Sequence, residues 1–124
     1  MAEIILKEES YRIIGLCMEV HSELGMGFKE IVYKDALEYE FAQGGVPYER
    51  EKDYQIGYKK ITLRHGYCAD FIVFDSIIPE VKAASTIVNN FVIDTVNYLK
   101  ASGLRLGIIA NFGEPSLVFK RVLF

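Results

Sequence analysis

Ala69-Asp70-Phe71-Ile72-Val73-Phe74-Asp75-Ser76-Ile77-Ile78-Pro79-Glu80-Val81-Lys82 reads as two strands and the turn between them. Phe71 to Phe74 is apolar on both faces, which predicts a central strand covered on each side by helices or loops. Ile77 to Lys82 follows directly as its hairpin partner. Three charged residues, Asp70, Glu80 and Lys82, interrupt these apolar strands, and buried charges need partners. Period two places Glu80 and Lys82 on one face with Val81 on the other. Whether Asp70 joins them depends on register. A two-residue turn at Asp75 and Ser76 sets Asp70 opposite Val81 and turns it away from Glu80. A three-residue turn from Phe74 to Ser76, or a bulge near Pro79, sets Asp70 opposite Glu80 with Cβ atoms about 5 Å apart. In that register two carboxylates at ~4 Å would repel by about 4 kcal/mol at an effective dielectric of about 20. A hard divalent cation such as Mg²⁺ converts that repulsion into attraction. The plainer alternative is a salt bridge from Lys82 to Asp70 or Glu80 that ties two strands together.

Working outward, Ile13, Ile14, Cys17, Val20 and Leu24 recur at helical spacing, so Glu8 to Leu24 forms a first helix ended by Gly25. A second helix runs from about Lys29 to Gln43, burying Ile31 or Val32 with Ala36, Leu37 and Phe41, and stops at Gly44-Gly45. Tyr48 to Ile56, Lys60 to Leu63 and Tyr67 to Phe74 are strands, with turns at Gly57 and at Arg64-His65-Gly66. Ser85 or Thr86 caps a third helix reaching about Ala101, with Val88, Phe91, Val92, Thr95, Val96 and Leu99 as its stripe. Leu106 to Phe112 is a buried strand reached by a crossover of helical length, so it runs parallel to Ile77 to Lys82. Leu117 to Phe124 ends the chain. With the short Lys60 to Leu63 strand left uncounted, the order ααβββαββ describes an α/β domain, a mixed sheet flanked by helices, spanning residues 1–124.

The chain has 124 residues, 51% of them hydrophobic and 25% charged, with a formal charge of -3 and a pI near 5.4. This size and composition suit one compact domain with a real core. The acidic balance argues against holding nucleic acid by bulk charge alone, though a local basic patch could do so. No apolar run reaches the roughly 18 residues of a membrane span, and Met1 to Glu8 is too short and too acidic for a signal peptide, so a cytoplasmic protein is expected. Cys17 and Cys68 lack zinc-ligand spacing and read as buried free thiols; a Cys17-His21 hydrolase has no nucleophile turn to support it. His65 reads as an exposed turn residue, and the tyrosines and phenylalanines as core rather than a base-stacking platform.

Glu30 and Tyr33 lie three apart on one face of the second helix, Glu30 in the first turn where the dipole favours a carboxylate. Gly27, Glu30 and Tyr33 match the pattern GxxExxY. Together with Ala69 to Val73, Pro79 to Ala83, Asn97-Tyr98-Leu99-Lys100, Gly107 to Gly113 and Lys120-Arg121, they make the chain resemble the GxxExxY protein family of the PD-(D/E)XK nuclease-like superfamily. The resemblance implies a restriction-endonuclease-like core, αβββαβ. It implies that Asp70 and Glu80, completed by the Val81 carbonyl and by Glu30, bind Mg²⁺ or Mn²⁺. It further implies that Lys82 orients or activates the attacking water, and it points to Tyr33, Asp94 and Tyr98 as substrate-side residues. One position departs from the family, which often carries Gln where this chain has Asp94. An ionised Asp accepts hydrogen bonds but cannot donate one to a phosphate.

The implied activity is metal-assisted phosphodiester hydrolysis in DNA or RNA. Lys59, Lys60, Arg64, Lys100, Lys120 and Arg121 are the candidate nucleic-acid contacts; the alternative for these residues is a scattered, solvated surface, the reading that the Lys59-Lys60 pair favours. The alternative is a catalytically inactive module that keeps the fold and binds nucleic acid or a protein. A homodimer formed through the apolar last strand is a further expectation.

Overall fold

A computed structural model describes residues 6–124. Met1 to Ile5, most of the apolar part of the stretch read above against a signal peptide, lie outside the described residues. The elements are α1 (Lys7–Leu24), α2 (Glu30–Gln43), β1 (Tyr48–Tyr54), β2 (Gly57–Tyr58), β3 (Ile61–Thr62), β4 (Tyr67–Val73), β5 (Ile77–Lys82), α3 (Asn89–Ser102), β6 (Leu106–Asn111) and β7 (Val118–Leu123). Five strands form the main sheet in the order β1-β4-β5-β6-β7, while β2 and β3 pair only with each other. Setting that ribbon aside, the order is ααβββαββ. The expected strand from Lys60 to Leu63 belongs to the ribbon, and Gly57 opens β2 rather than making a turn; the turn falls at Lys59, which has a left-handed φ of 51°.

β5 and β6 are parallel and joined through α3, and the other sheet pairings are antiparallel. Two apolar layers result. α1 and α2 cover one face with Ile13, Cys17, Tyr33, Leu37 and Phe41 against Phe71, Val73, Val81 and Ile108. α3 covers the other, where Leu99 meets Ala69, Ile72, Ile78 and Ile109. β4, β5 and β6 are therefore buried on both sides, as the continuous apolar runs require. No described helix is long and apolar enough to cross a membrane.

α2 faces the core differently from the expectation. Tyr33, Lys34, Leu37 and Phe41 are its buried residues, Ile31 is exposed, and Val32 and Ala36 are half-buried. The cause is Tyr33. Its ring stacks on Phe112 with centroids 4.6 Å apart, and its hydroxyl donates to the Gly25 carbonyl (2.6 Å) while accepting from the Phe28 N–H (3.2 Å). That anchorage rotates the helix so that the spacing through Tyr33, Leu37 and Phe41 points inward.

α3 begins at Asn89 after an extended Val88 with no side-chain cap, so neither Ser85 nor Thr86 caps it and Val88 stays exposed. Cys17 is buried as expected, whereas Cys68 is exposed because it lies near the start of β4, beyond the helical cover.

The segment after β5 is clamped to the end of β6. Asn111, fully buried, accepts from the Ala84 N–H (2.9 Å) and the Gly113 N–H (3.1 Å) and donates to the Ala84 carbonyl (2.9 Å) and to Glu114 (2.8 Å). Gly113 lies so close that a Cβ there would sit 2.3 Å from the Ala84 carbonyl oxygen. Backbone, unlike a flexible side chain, cannot yield cheaply. Gly113→Ala is expected to lower stability by about 1–3 kcal/mol in urea unfolding, and an unchanged midpoint would show that the clamp can relax.

Candidate active site

Val73 lies opposite Ile77, so the turn between β4 and β5 has three residues, Phe74 to Ser76. Phe74 and Asp75 both adopt left-handed φ values, 56° and 54°, which turns the chain tightly without glycine. Continuing that register by three residues along each strand places Asp70 opposite Glu80. Side chains link the strands here: the Asp70 N–H donates to Glu80 Oε1 (3.1 Å) and the Val81 N–H donates to Asp70 Oδ2 (2.8 Å). Because N–H and C=O of one strand residue share an edge, the Val81 carbonyl also faces β4. Period two breaks across Asp70, since Ala69 and Ile72 pack under α3 while Phe71 and Val73 pack under α1 and α2.

Glu80 is only 2% exposed. Burial first, and then the Asp70 carboxylate beside it, push its pKa up to about 9. Burial, reinforced by the neighbouring carboxylate, thus favours the protonated form of Glu80. The Lys82 charge opposes this only weakly. Its ammonium instead lies over the Phe91 ring, 4.7 Å from the centroid, and no ion pair to Lys82 occurs among the described residues. The simple Lys82 strand tie is therefore replaced by another lysine.

That lysine is Lys34 of α2, with 11% of its side chain exposed. It donates to Asp70 Oδ1 at 3.1 Å and to Glu51 Oε1 of β1. Burial works against its charge, but the Glu51 and Asp70 hydrogen bonds and charges outweigh burial and raise its pKa. Glu51 can meet it because its φ of 56° bends β1 beside Asp70, in the gap between the Arg50–Phe71 and Lys52–Ala69 pairs. Neither Lys34 nor Glu51 was identified from the sequence. Lys34 could have been found, since it stands one helical turn after Glu30 on the same stripe as Leu37. Glu51 carries no such signal, because a left-handed glutamate within a strand leaves no sequence pattern.

The other expected residues divide. Tyr98 of α3 is half-buried, with its hydroxyl pKa pushed up to about 12, first by burial and then by the charges of Glu80, Asp94 and Asp70, so it stays a donor. Asp94, one turn earlier, is exposed. Glu30 is exposed and lines a shallow depression with Phe28 and Ala83, apart from the carboxylate pair. Tyr33 is not brought to a surface that a substrate could touch: it is fully buried and its hydroxyl ties the corner between α1 and α2. Among the described residues no three Asp, Glu, His or Cys side chains converge closely enough to enclose an ion.

No nucleophilic thiol competes with this site. Burial pushes Cys17 up to about 12, and burial together with Asp53 and Glu51 pushes Cys68 up to about 11. His21 shares a 2.8 Å hydrogen bond with the Glu114 carbonyl rather than engaging Cys17.

Comparison with known proteins identifies the class to which this geometry belongs. The sequence pattern of the PD-(D/E)XK nuclease superfamily matches residues 7–122, and the chain belongs to that superfamily. Its fold is the restriction-endonuclease-like mixed sheet flanked by helices. Two solved structures are similar. The protein SSO0001 shares 15% identity at a TM-score of 0.57 over 90% of this chain and 65% of its own. An alkaline exonuclease from Laribacter hongkongensis shares 10% identity at a TM-score of 0.57 over 99% of this chain and 72% of its own. The chain thus spans a little under two thirds of SSO0001. No curated protein matches the sequence.

Lys34→Met removes a partner from a largely buried Asp70 and should cost about 1–3 kcal/mol at pH 7, discounted for the half-exposed Glu51. Because the folded pKa of Lys34 is raised, its contribution is complete below the ordinary lysine value of 10.5 and is lost as pH rises through the folded value. Denaturant titrations at pH 7 and in strong alkali should show the difference between wild type and Lys34→Met shrinking. A constant difference would show that Lys34 acts through packing.

Proposed function

We propose that this protein is a metal-dependent nuclease of the GxxExxY group, hydrolysing phosphodiester bonds in DNA or RNA. One observation carries the reading: two oxygen-only ligands, Asp70 and Glu80, lie side by side, each accepting a backbone N–H of the other's strand, in a setting where burial first and the Asp70 charge second favour the protonated form of Glu80. Such a donor set fits a hard divalent cation, which replaces the proton and reverses the repulsion. Asp70, Glu80 and the Val81 carbonyl would hold Mg²⁺ or Mn²⁺, while Glu30, which stands apart from the pair, would contribute through water at the helix start. When bound, the ion supplies a Lewis acid for the phosphoryl oxygen and an acidified water.

The chain's own residues do the rest. Lys82 projects from the same face of β5 as Glu80 and balances the negative charge that grows on the phosphate. Tyr98, held protonated, donates a hydrogen bond to a phosphate oxygen. Asp94 accepts one from the attacking water. Asn111 and Gly113 fix the segment that follows Lys82, which keeps the ammonium from drifting.

A second reading, a catalytically inactive nuclease-fold module that binds nucleic acid or a protein, is favoured by two observations. Lys34 already neutralises Asp70, and Asp94 offers no donor. A homodimer through β7 has support in its position at the sheet edge and in the exposure of Phe119, Leu123 and Phe124; light scattering reads it out directly.

The test is cleavage of single-stranded, duplex and branched substrates with Mg²⁺ or Mn²⁺. Wild type is expected to cleave, and Asp70→Asn, Glu80→Gln and Lys82→Met each to lose at least about a hundredfold. The metal should raise the melting temperature of wild type. Folded protein with neither a metal shift nor cleavage would establish the inactive module.

The raised pKa of Glu80 means that the native chain holds a proton the unfolded chain has released between the ordinary glutamate value and about 9. Metal-free stability from this group is therefore complete at low pH and is lost as pH rises through that window. Glu80→Gln should flatten the decline while abolishing the metal response, and metal affinity in wild type should rise with pH. Calorimetry from pH 5 to 9 checks both signs.

A further inference from the structure

The segment from Gln55 to Tyr67 carries Lys59, Lys60, Arg64 and His65 and no aspartate or glutamate, in a chain of formal charge -3. It leaves the main sheet after β1, folds into the β2–β3 ribbon and returns at β4. No core requirement explains it, since Tyr58, Ile61 and Leu63 are all exposed. Between this segment and the C-terminal half of α3 lies a cavity of about 650 Å³. Gln55, His65 and Tyr67 form one wall and Asn97 and Lys100 the other; no acidic side chain lines it.

The cavity is connected to the carboxylate pair through two tyrosine rings. Tyr67 is 37% exposed, and its ring meets that of Tyr98 edge-on at 5.6 Å. Tyr98 in turn feels the charges of Glu80 and Asp70. An aromatic face, two amides and the Lys100 ammonium thus line the cavity, with Lys59, Lys60 and Arg64 on the segment that forms its other wall.

We propose that this cavity binds one unpaired nucleotide of a single-stranded nucleic acid, its base against Tyr67 and its phosphates against Lys100 and the ribbon cations. The placement beside the scissile phosphate rests on the nuclease reading above; the binding itself does not. The volume falls in the range of roughly 300–1,000 Å³ that encloses small ligands, which admits a nucleotide and excludes a duplex. A base inside a duplex has both faces stacked on its neighbours, so only an unpaired one can lie on Tyr67. Gln55 and Asn97 each offer a donor and an acceptor to a base edge. Lys100, Arg64 and the Lys59-Lys60 turn supply the local positive charge that the chain as a whole lacks.

The experiment measures fluorescence anisotropy of a labelled oligonucleotide, single-stranded or annealed into a blunt duplex, with the full chain and a chelator so that nothing is cleaved. The single strand should bind more tightly than the duplex. Tyr67→Ala should weaken single-strand binding about tenfold. Lys100→Ala and Arg64→Ala, both at exposed positions and so safe for folding, should each weaken it and lower the salt slope by about 0.7. Equal affinity for strand and duplex, or unaltered affinity and salt slope in both cation variants, overturns the proposal. If the variants bind like wild type while metal-dependent cleavage persists, the cavity falls and the nuclease stands. If strand binding depends on the cavity but no metal supports cleavage, the cavity stands and the catalysis falls.

Discussion

The site depends on carboxylates standing in for backbone between β4 and β5. Where an ordinary ladder would pair main chain with main chain, the Asp70 N–H is satisfied by Glu80 and the Val81 N–H by Asp70. Buried N–H groups must be paired, so these carboxylates hold the sheet together at the point where the two acidic side chains meet. The same bonds fix both side chains in direction. The cost appears at Glu80, whose carboxyl keeps its proton because burial and the Asp70 charge leave it no cheaper state.

Around this pair the two faces of the sheet play different parts. The face under α1 and α2 supplies rigidity: Tyr33 locks α2 onto Phe112 and onto the Gly25 corner, and that lock aims Lys34 at Asp70. The face under α3 is where Lys82, Phe91 and Tyr98 gather. Asp70 reaches from one to the other because the alternation of β4 breaks at it. A positive charge delivered from α2 therefore governs how much negative charge Asp70 presents toward α3.

Charge is also distributed unevenly along the chain. Acidic residues dominate overall, yet the ribbon between β1 and β4 contains none, and it stands over the cavity beside α3. Whole-chain pI could not report this, because electrostatic recognition is decided within a Debye length of about 8–10 Å and not by the net sum.

The sequence alone determined the order of elements, the central apolar strands, the parallel step through α3, and the placement of Glu80 and Lys82 on one face, because these follow from periodicity and strand geometry. It narrowed the register of β4 and β5 to two choices. Tertiary structure decided between them, since two left-handed residues in the turn, Phe74 and Asp75, are not encoded by glycine or asparagine. It also decided which stripe of α2 is buried, because the hydroxyl of Tyr33 finds its partners in a corner that exists only after folding. Lys34 and Glu51 became neighbours of Asp70 for the same reason. They approach from a helix and from a strand distant in sequence, and only the packed chain brings such long-range charges within reach of each other.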